Sequence, residues 1–168
     1  MSLSMYDASI PVFVRLLGNL GTILKKAESY AETKKIDSAV LVNARLAPDM
    51  FPLARQIQIA SDSAKGCAAR LAGVEVPSFP DTEASLEDLQ ARIAKTVHFV
   101  QGINPTAING SEGRDITLKI GGQDLHMKGQ SYLLNFVLPN FYFHITTAYA
   151  ILRHNGLELG KKDFLGAY

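Results

Sequence analysis

A chain of 168 residues, 47% hydrophobic and 20% charged and free of low-complexity tracts, is long enough to bury a sizeable core, and its size predicts one domain over residues 1–168. A net charge of +1, with the lysines scattered in pairs (Lys25-Lys26, Lys34-Lys35, Lys161-Lys162), argues against the clustered positive footprint a nucleic-acid partner needs. One cysteine, Cys67, excludes an internal disulfide, and "MSLSMYDASIPVFVRLLG" lacks the basic start and long apolar core of a secretion signal, so the expected location is a reducing cytoplasm.

The first predicted element is a long helix from about Ile10 to Lys35. Phe13, Leu16, Leu17, Leu20, Ile23, Leu24, Ala27 and Tyr30 recur at helical spacing, while Arg15, Asn19, Lys25, Lys26 and Glu28 fill the other side. Ser4 and Asp7 resemble an N-cap pair, and Pro11 fits only a first turn. Gly18 and Gly21 weaken a helix, so they are expected to mark a close helix contact. A short helix capped by Asp37 or Ser38 follows and stops before Pro48.

A second long helix is predicted from an Asp49 cap, with Pro52 in its first turn, to Ala72, stopping at Gly73. Met50, Leu53, Ile57, Ala60, Ala64, Ala68 and Leu71 form its apolar stripe. Cys67 lies among alanines here and reads as a small core residue. Gln58 and Asp62 share a face with Arg55 and Lys65, which reads as a solvated stripe laced with i,i+4 pairs. Gln56 falls between the stripes and can turn inward. The proline-bearing "VEVPSFPDT" connects to a third helix from about Glu83 to Val100, with Leu86, Leu89, Ile93, Val97 and Val100 on one face and His98 expected to be partly buried.

The period then changes. In "DITLKIGGQDLHMKG" apolar residues alternate, and Gly121-Gly122 fits a primed hairpin turn. That turn sets Leu118 opposite Leu125, Ile116 opposite Met127, Thr117 opposite His126 and Lys119 opposite Asp124. The fourth long helix runs from about Gln130 to Asn155 and closes on Gly156. Pro139 frees the carbonyl of Asn135, which predicts a kink. From Ser131 to Leu152 no residue is charged, yet Asn135, Pro139, Asn140 and His144 interrupt the run, so it reads as the central helix of a bundle and no membrane partner is expected. The fold class is therefore all-α, a four-helix up-and-down bundle with a hairpin inserted before the last helix.

Chemistry has few places to sit. There is no Gly-rich phosphate loop, G-x-S-x-G or H-E-x-x-H. Asn140, His144 and Thr147 lie along one stripe of the last helix, and His144 is the residue type that serves as acid, base or metal ligand. Gln56, Asn140 and His144 are the candidate cluster, with His144 as the catalytic or metal-binding group. A hydrogen-bonded core network is the competing reading.

"LPNFYFHITTAYAILRHNG" resembles the final helix of the DinB/YfiT-like four-helix bundles, whose pattern is H-x-x-x-H followed by a stretch ending Leu-Arg-x-x-Gly. Leu152, Arg153 and Gly156 match that ending; His144 falls on the second histidine and Asn140 replaces the first. Where the family's third ligand, a histidine early in the second long helix, would stand, this chain has Gln56 or Gln58. "MYDASIPVF", "NARLAPDMFPLARQIQIASD" and "NFYFHITTAYAILRHNG" more closely resemble an uncharacterised bacterial family of unknown function in the same superfamily. The resemblance implies a bundle that is usually a homodimer. In relatives with all three histidines it also implies a divalent metal and, in some, thiol-transferase or isomerase chemistry. With one histidine of three kept, a degenerate centre is expected: no resident ion, or a weakly held hard divalent ion as the alternative.

Overall fold

The computed structural model describes residues 3–167. Its elements are α1 (Ile10–Lys34), α2 (Ser38–Val42), α3 (Leu53–Ala72), α4 (Leu86–Gln101), α5 (Pro105–Ile108), β1 (Asp115–Ile120), β2 (Gln123–Lys128), α6 (Gly129–Ser131), a π-helical stretch (Tyr132–Val137), α7 (Leu138–His154) and α8 (Lys161–Leu165). The four long helices α1, α3, α4 and α7 form the bundle, with α1 packed on α4, α3 on α7, and α3 on α4 joining the pairs.

The apolar stripes read from the sequence are the ones buried, except that Tyr30 and Val97 are half-buried and Met50 lies half-buried before α3. Phe13, Leu17, Leu20 and Leu24 of α1 meet Leu53, Ile57, Ala64 and Leu71 of α3, Leu89 and Val100 of α4, and Phe141, Ile145 and Ile151 of α7 in one core cluster. Phe13 and Phe141 meet edge to face, centroids 5.0 Å apart, the arrangement that ring quadrupoles favour. Cys67 is in this core, and burial pushes its thiol far above the ordinary range, so it is unreactive.

Several element ends differ from the sequence reading, each for a local reason. Asp49 caps nothing: residues 47–50 form a separate turn, the Leu53 amide donates to the Ala44 carbonyl, and α3 starts after an extended Pro52. Helix α4 starts at Leu86, because Ser85 and Asp88 close a capping box that outcompetes the Glu83 start. Ser4 and Asp7 bond each other in a turn before α1. Gly18 faces open space, and a Cβ on Gly21 would meet Ile93 at an ordinary 3.7 Å, so Gly18 marks no close contact. His98 is exposed. The unforeseen α8 lies on α1, held by Arg15 to the Leu165 carbonyl, Asn19 to the Phe164 carbonyl, and the Lys26–Asp163 ion pair.

The hairpin register is as expected: Ile116 opposes Met127, Thr117 opposes His126, Leu118 opposes Leu125 and Lys119 opposes Asp124. Ile116 and Leu118 are buried, which supplies the packing a lone hairpin needs. At Pro139 there is no simple kink. The turn before it widens instead, with Leu138 donating to the Leu133 carbonyl five residues back, and α7 restarts with Pro139 in its first turn. A wider turn moves the carbonyls that a proline ring would strike. Among the described residues, no helix is long and apolar enough to cross a membrane.

Candidate functional site

Gln56 and His144 face each other across the α3–α7 contact. Gln56 is fully buried and His144 is 8% exposed. The Gln56 amide nitrogen donates to the Phe51 carbonyl at 2.9 Å, which turns its oxygen towards His144. That oxygen lies 2.7 Å from His144 Nδ1. An amide oxygen can only accept, so Nδ1 carries the proton and Nε2 keeps the lone pair. Nε2 has no hydrogen-bond partner among the described residues and is not sealed from solvent.

Burial first, and then the positive charge of Arg55, hold the His144 pKa below the ordinary 6.5, so the ring is neutral at neutral pH. The exposed Phe143 packs edge to face on it, centroids 5.2 Å apart, and Phe51 is exposed on the α3 side. A neutral imidazole with one fixed N–H and one open lone pair, set against apolar surface, is equipped to accept a proton.

Asn140 does not join that pair. It lies one turn earlier on α7, and its amide nitrogen donates at 2.8 Å to Ser63 Oγ, which itself donates to the Ile59 carbonyl. The three candidate residues thus form two separate bridges between α3 and α7, Gln56–His144 and Ser63–Asn140. Ser63 escaped the sequence reading because a lone serine on a helix carries no periodic signal.

The donor set does not fit the family's metal. Gln56 uses its oxygen to orient His144, no carboxylate or thiolate joins the cluster, and among the described residues no group of three His, Cys, Asp or Glu side chains is placed to hold a metal ion. One nitrogen donor and scattered amides do not hold zinc or nickel.

The sequence reading also missed a second polar assembly. Gln58 and Lys65 are not on a solvated stripe; both are buried. They belong to a network centred on Arg92, whose side chain is 2% exposed. Arg92 reaches Glu83 at 2.8 Å, Asp62 and Asp81 at 3.0 Å each, and the Pro80 carbonyl at 3.1 Å. Gln58 adds a bond to Glu83, Lys65 pairs with Asp62, and Arg55 pairs with Asp81. Phe79 completes the clamp between the ammonium groups of Lys65 and Lys95, 4.4 and 4.1 Å from its centroid. This pins the connector between α3 and α4. Arg92 sits in register with Leu89, Ile93 and Thr96, so an arginine on the core face was the available signal. Burial alone would raise the Glu83 carboxyl, but bonds from Arg92, Gln58 and its own backbone hold it below its ordinary 4.5.

His144 and Glu83 shape the acid profile, and Asp163 and Asp88, whose carboxyls hydrogen bonds also hold low, add to its lower step. Unfolded, His144 takes a proton near 6.5 and Glu83 near 4.5; folded, each does so lower. The unfolded chain therefore binds more protons, and stability that is complete above 6.5 falls as pH drops through the folded His144 value, then again below 4.5. Melting temperatures measured from pH 8 to 3 should show both declines, and His144→Gln should remove the upper one only.

The family model described as a domain of unknown function (DUF1993) matches residues 5–165. The chain belongs to this family. No curated protein matches this DUF1993 chain. A crystal structure described as a DinB family member protein from Shewanella denitrificans, at 1.83 Å resolution, is 43% identical and covers 97% of this chain and 92% of that one, with a TM-score of 0.88. The DUF1993 bundle is thus DinB-like in fold, as the last helix implied.

Proposed function

We propose that this DinB-like bundle holds a small-molecule site on the Gln56–His144 pair, in a cytoplasmic homodimer whose protomer is one domain over residues 1–168. In this reading the protein is a hydrolase or transferase in which His144 Nε2 accepts a proton from the nucleophile, Gln56 fixes the ring, and Asn140 orients substrate from the neighbouring turn. No step is assigned to a metal, because the donor set does not hold one. The observation that carries the reading is the 2.7 Å bond from His144 Nδ1 to Gln56, which leaves Nε2 open beside exposed Phe143.

The test is a screen of hydrolytic and thiol-transfer substrates with untagged protein, read beside elemental analysis and His144→Gln. We expect turnover without stoichiometric metal, lost by at least about 100-fold in a folded His144→Gln protein, the range a positioned base contributes. A stoichiometric ion that disappears with His144→Ala would sink the metal-independent form.

A second reading has its own support. Both bridges span α3 and α7, and α7 exposes Tyr142 and Phe143 while the π stretch exposes Leu134. In that reading the polar pairs fix helix register in a non-catalytic homodimeric binding protein whose apolar face lies on this helix. Lowered stability in His144→Ala, with no substrate turned over and no ligand displacing the Nε2 resonance of the parent protein, would favour it.

A further inference from the structure

Beside His144, but without it in its walls, runs an open groove of about 490 Å³ between α3, β1 and the π-helical stretch. Arg55 and Arg70 line it from α3, Lys119 from β1, and Tyr132 and Phe136 from the π stretch. One carboxylate, Asp62, reaches it, and that group is already held by Lys65 and Arg92. Arg55 is paired with Asp81, whereas Arg70 and Lys119 have no carboxylate within ion-pair distance among the described residues. The groove therefore carries positive charge that the fold does not neutralise.

Arg70 is held in place by something other than a counter-charge. Its Nη1 donates to the Tyr132 hydroxyl at 3.2 Å, and its head folds back one turn over Gly66. A Cβ on Gly66 would lie 2.5 Å from that Nη1, so the missing side chain is the notch the guanidinium fills. A helix-interior glycine costs stability, and here the return is a positioned, unpaired guanidinium. Alongside it, the rings of Tyr132 and Phe136 stack with centroids 6.2 Å apart and planes at 18°, and Ile120 is exposed from β1. Widened π turns frequently occur at functional sites.

We infer that this groove binds a small oxyanion-bearing molecule with a flat apolar body, its carboxylate or phosphate on Arg70 and Lys119 and its body against Phe136 and Ile120. The volume lies in the range of small-molecule sites. A planar guanidinium with free N–H groups recognises either oxyanion.

Phenylacetate, phenyl phosphate and inorganic phosphate are the probes, titrated calorimetrically at low salt. At least one aryl probe should bind with a Kd below about 1 mM, a modest demand for some ten heavy atoms. Which of the two binds tighter names the oxyanion. Arg70→Gln should weaken binding by about tenfold or more. Gly66→Ala is the sharper variant, because it displaces the guanidinium while improving helix propensity. It should lose affinity by about tenfold while its Tm holds or rises by roughly 2–4 °C. His144→Gln should bind like the parent, which separates this site from the acid/base reading. No binding by either aryl probe, inorganic phosphate binding as tightly as they do, full affinity in Gly66→Ala, or lost affinity in His144→Gln would each overturn the assignment.

Discussion

Replacing Arg92 with methionine should lower the free energy of unfolding by about 3 kcal/mol, at the lower end for removing one partner of a buried ion pair. The lower end applies because the partners are not equally stranded. Asp62 and Asp81 are about 40% exposed and keep Lys65 and Arg55. Glu83, 10% exposed, is left with Gln58 and its own backbone N–H. In a chain of this length that loss corresponds to a fall in Tm of roughly 6–12 °C. The parent network is itself imperfect, since Arg92 Nε is buried without a partner. A double-mutant cycle isolates the contact: Arg92→Met made on Glu83→Gln should cost clearly less than on the parent. Equal costs in denaturant unfolding would show that Arg92 acts through its other partners and not through the Glu83 carboxylate.

Gly129→Ala should be comparably severe, about 3 kcal/mol, at the top of the usual overpacking range. A Cβ there would lie 2.0 Å from the Ser111 carbonyl oxygen and 3.3 Å from Leu71 Cδ2. The nearest obstacle is backbone, which no rotamer change relieves. That backbone is also tied down, with Gly129 donating to the Arg114 carbonyl at 2.8 Å and Gln130 to the Glu112 carbonyl at 3.0 Å. Gly18→Ala is the control: with nothing within 4 Å and an exposed helical position, it should stabilise by about 1 kcal/mol. Guanidinium unfolding of both variants decides the matter, and a neutral Gly129→Ala would mean the loop at Ser111 yields more easily than its hydrogen bonds imply.

The bundle was legible because a buried helix repeats its apolar residues every three or four positions. Phe13, Leu17, Leu20 and Leu24 identify α1 with no knowledge of what they touch. The hairpin was legible for a similar reason: a two-residue glycine turn fixes the register, so all four expected pairs stand opposite one another. His144 could also be placed from its stripe, and Gln56, between two stripes, was free to turn inward. What was not legible depends on chain-distant partners. Asp81 and Glu83 look like ordinary connector acids until α4 brings Arg92 beneath them. Asn140 lies on the right stripe for His144 and still bonds Ser63, because the side-chain direction of a neighbouring turn is set by packing and not by spacing. Gly66 gave no hint either, since its role is to make room for a residue one turn away.

The widened turn at Tyr132–Val137 has a consequence for how this fold can change. Each residue of an α-helix advances the chain by 100° about the axis, and a π turn accommodates one residue more. Deleting one residue there would restore an ordinary helix and leave α7, with Phe141 and His144, seated in the core. The segments on either side would keep their phase, because the widened turn absorbs its extra residue locally, so the change would fall on the groove wall that Tyr132, Phe136 and Val137 form. The extra residue of the last helix thus belongs to the groove wall, and a single-codon deletion there would reshape the groove while leaving the bundle and the hairpin in place.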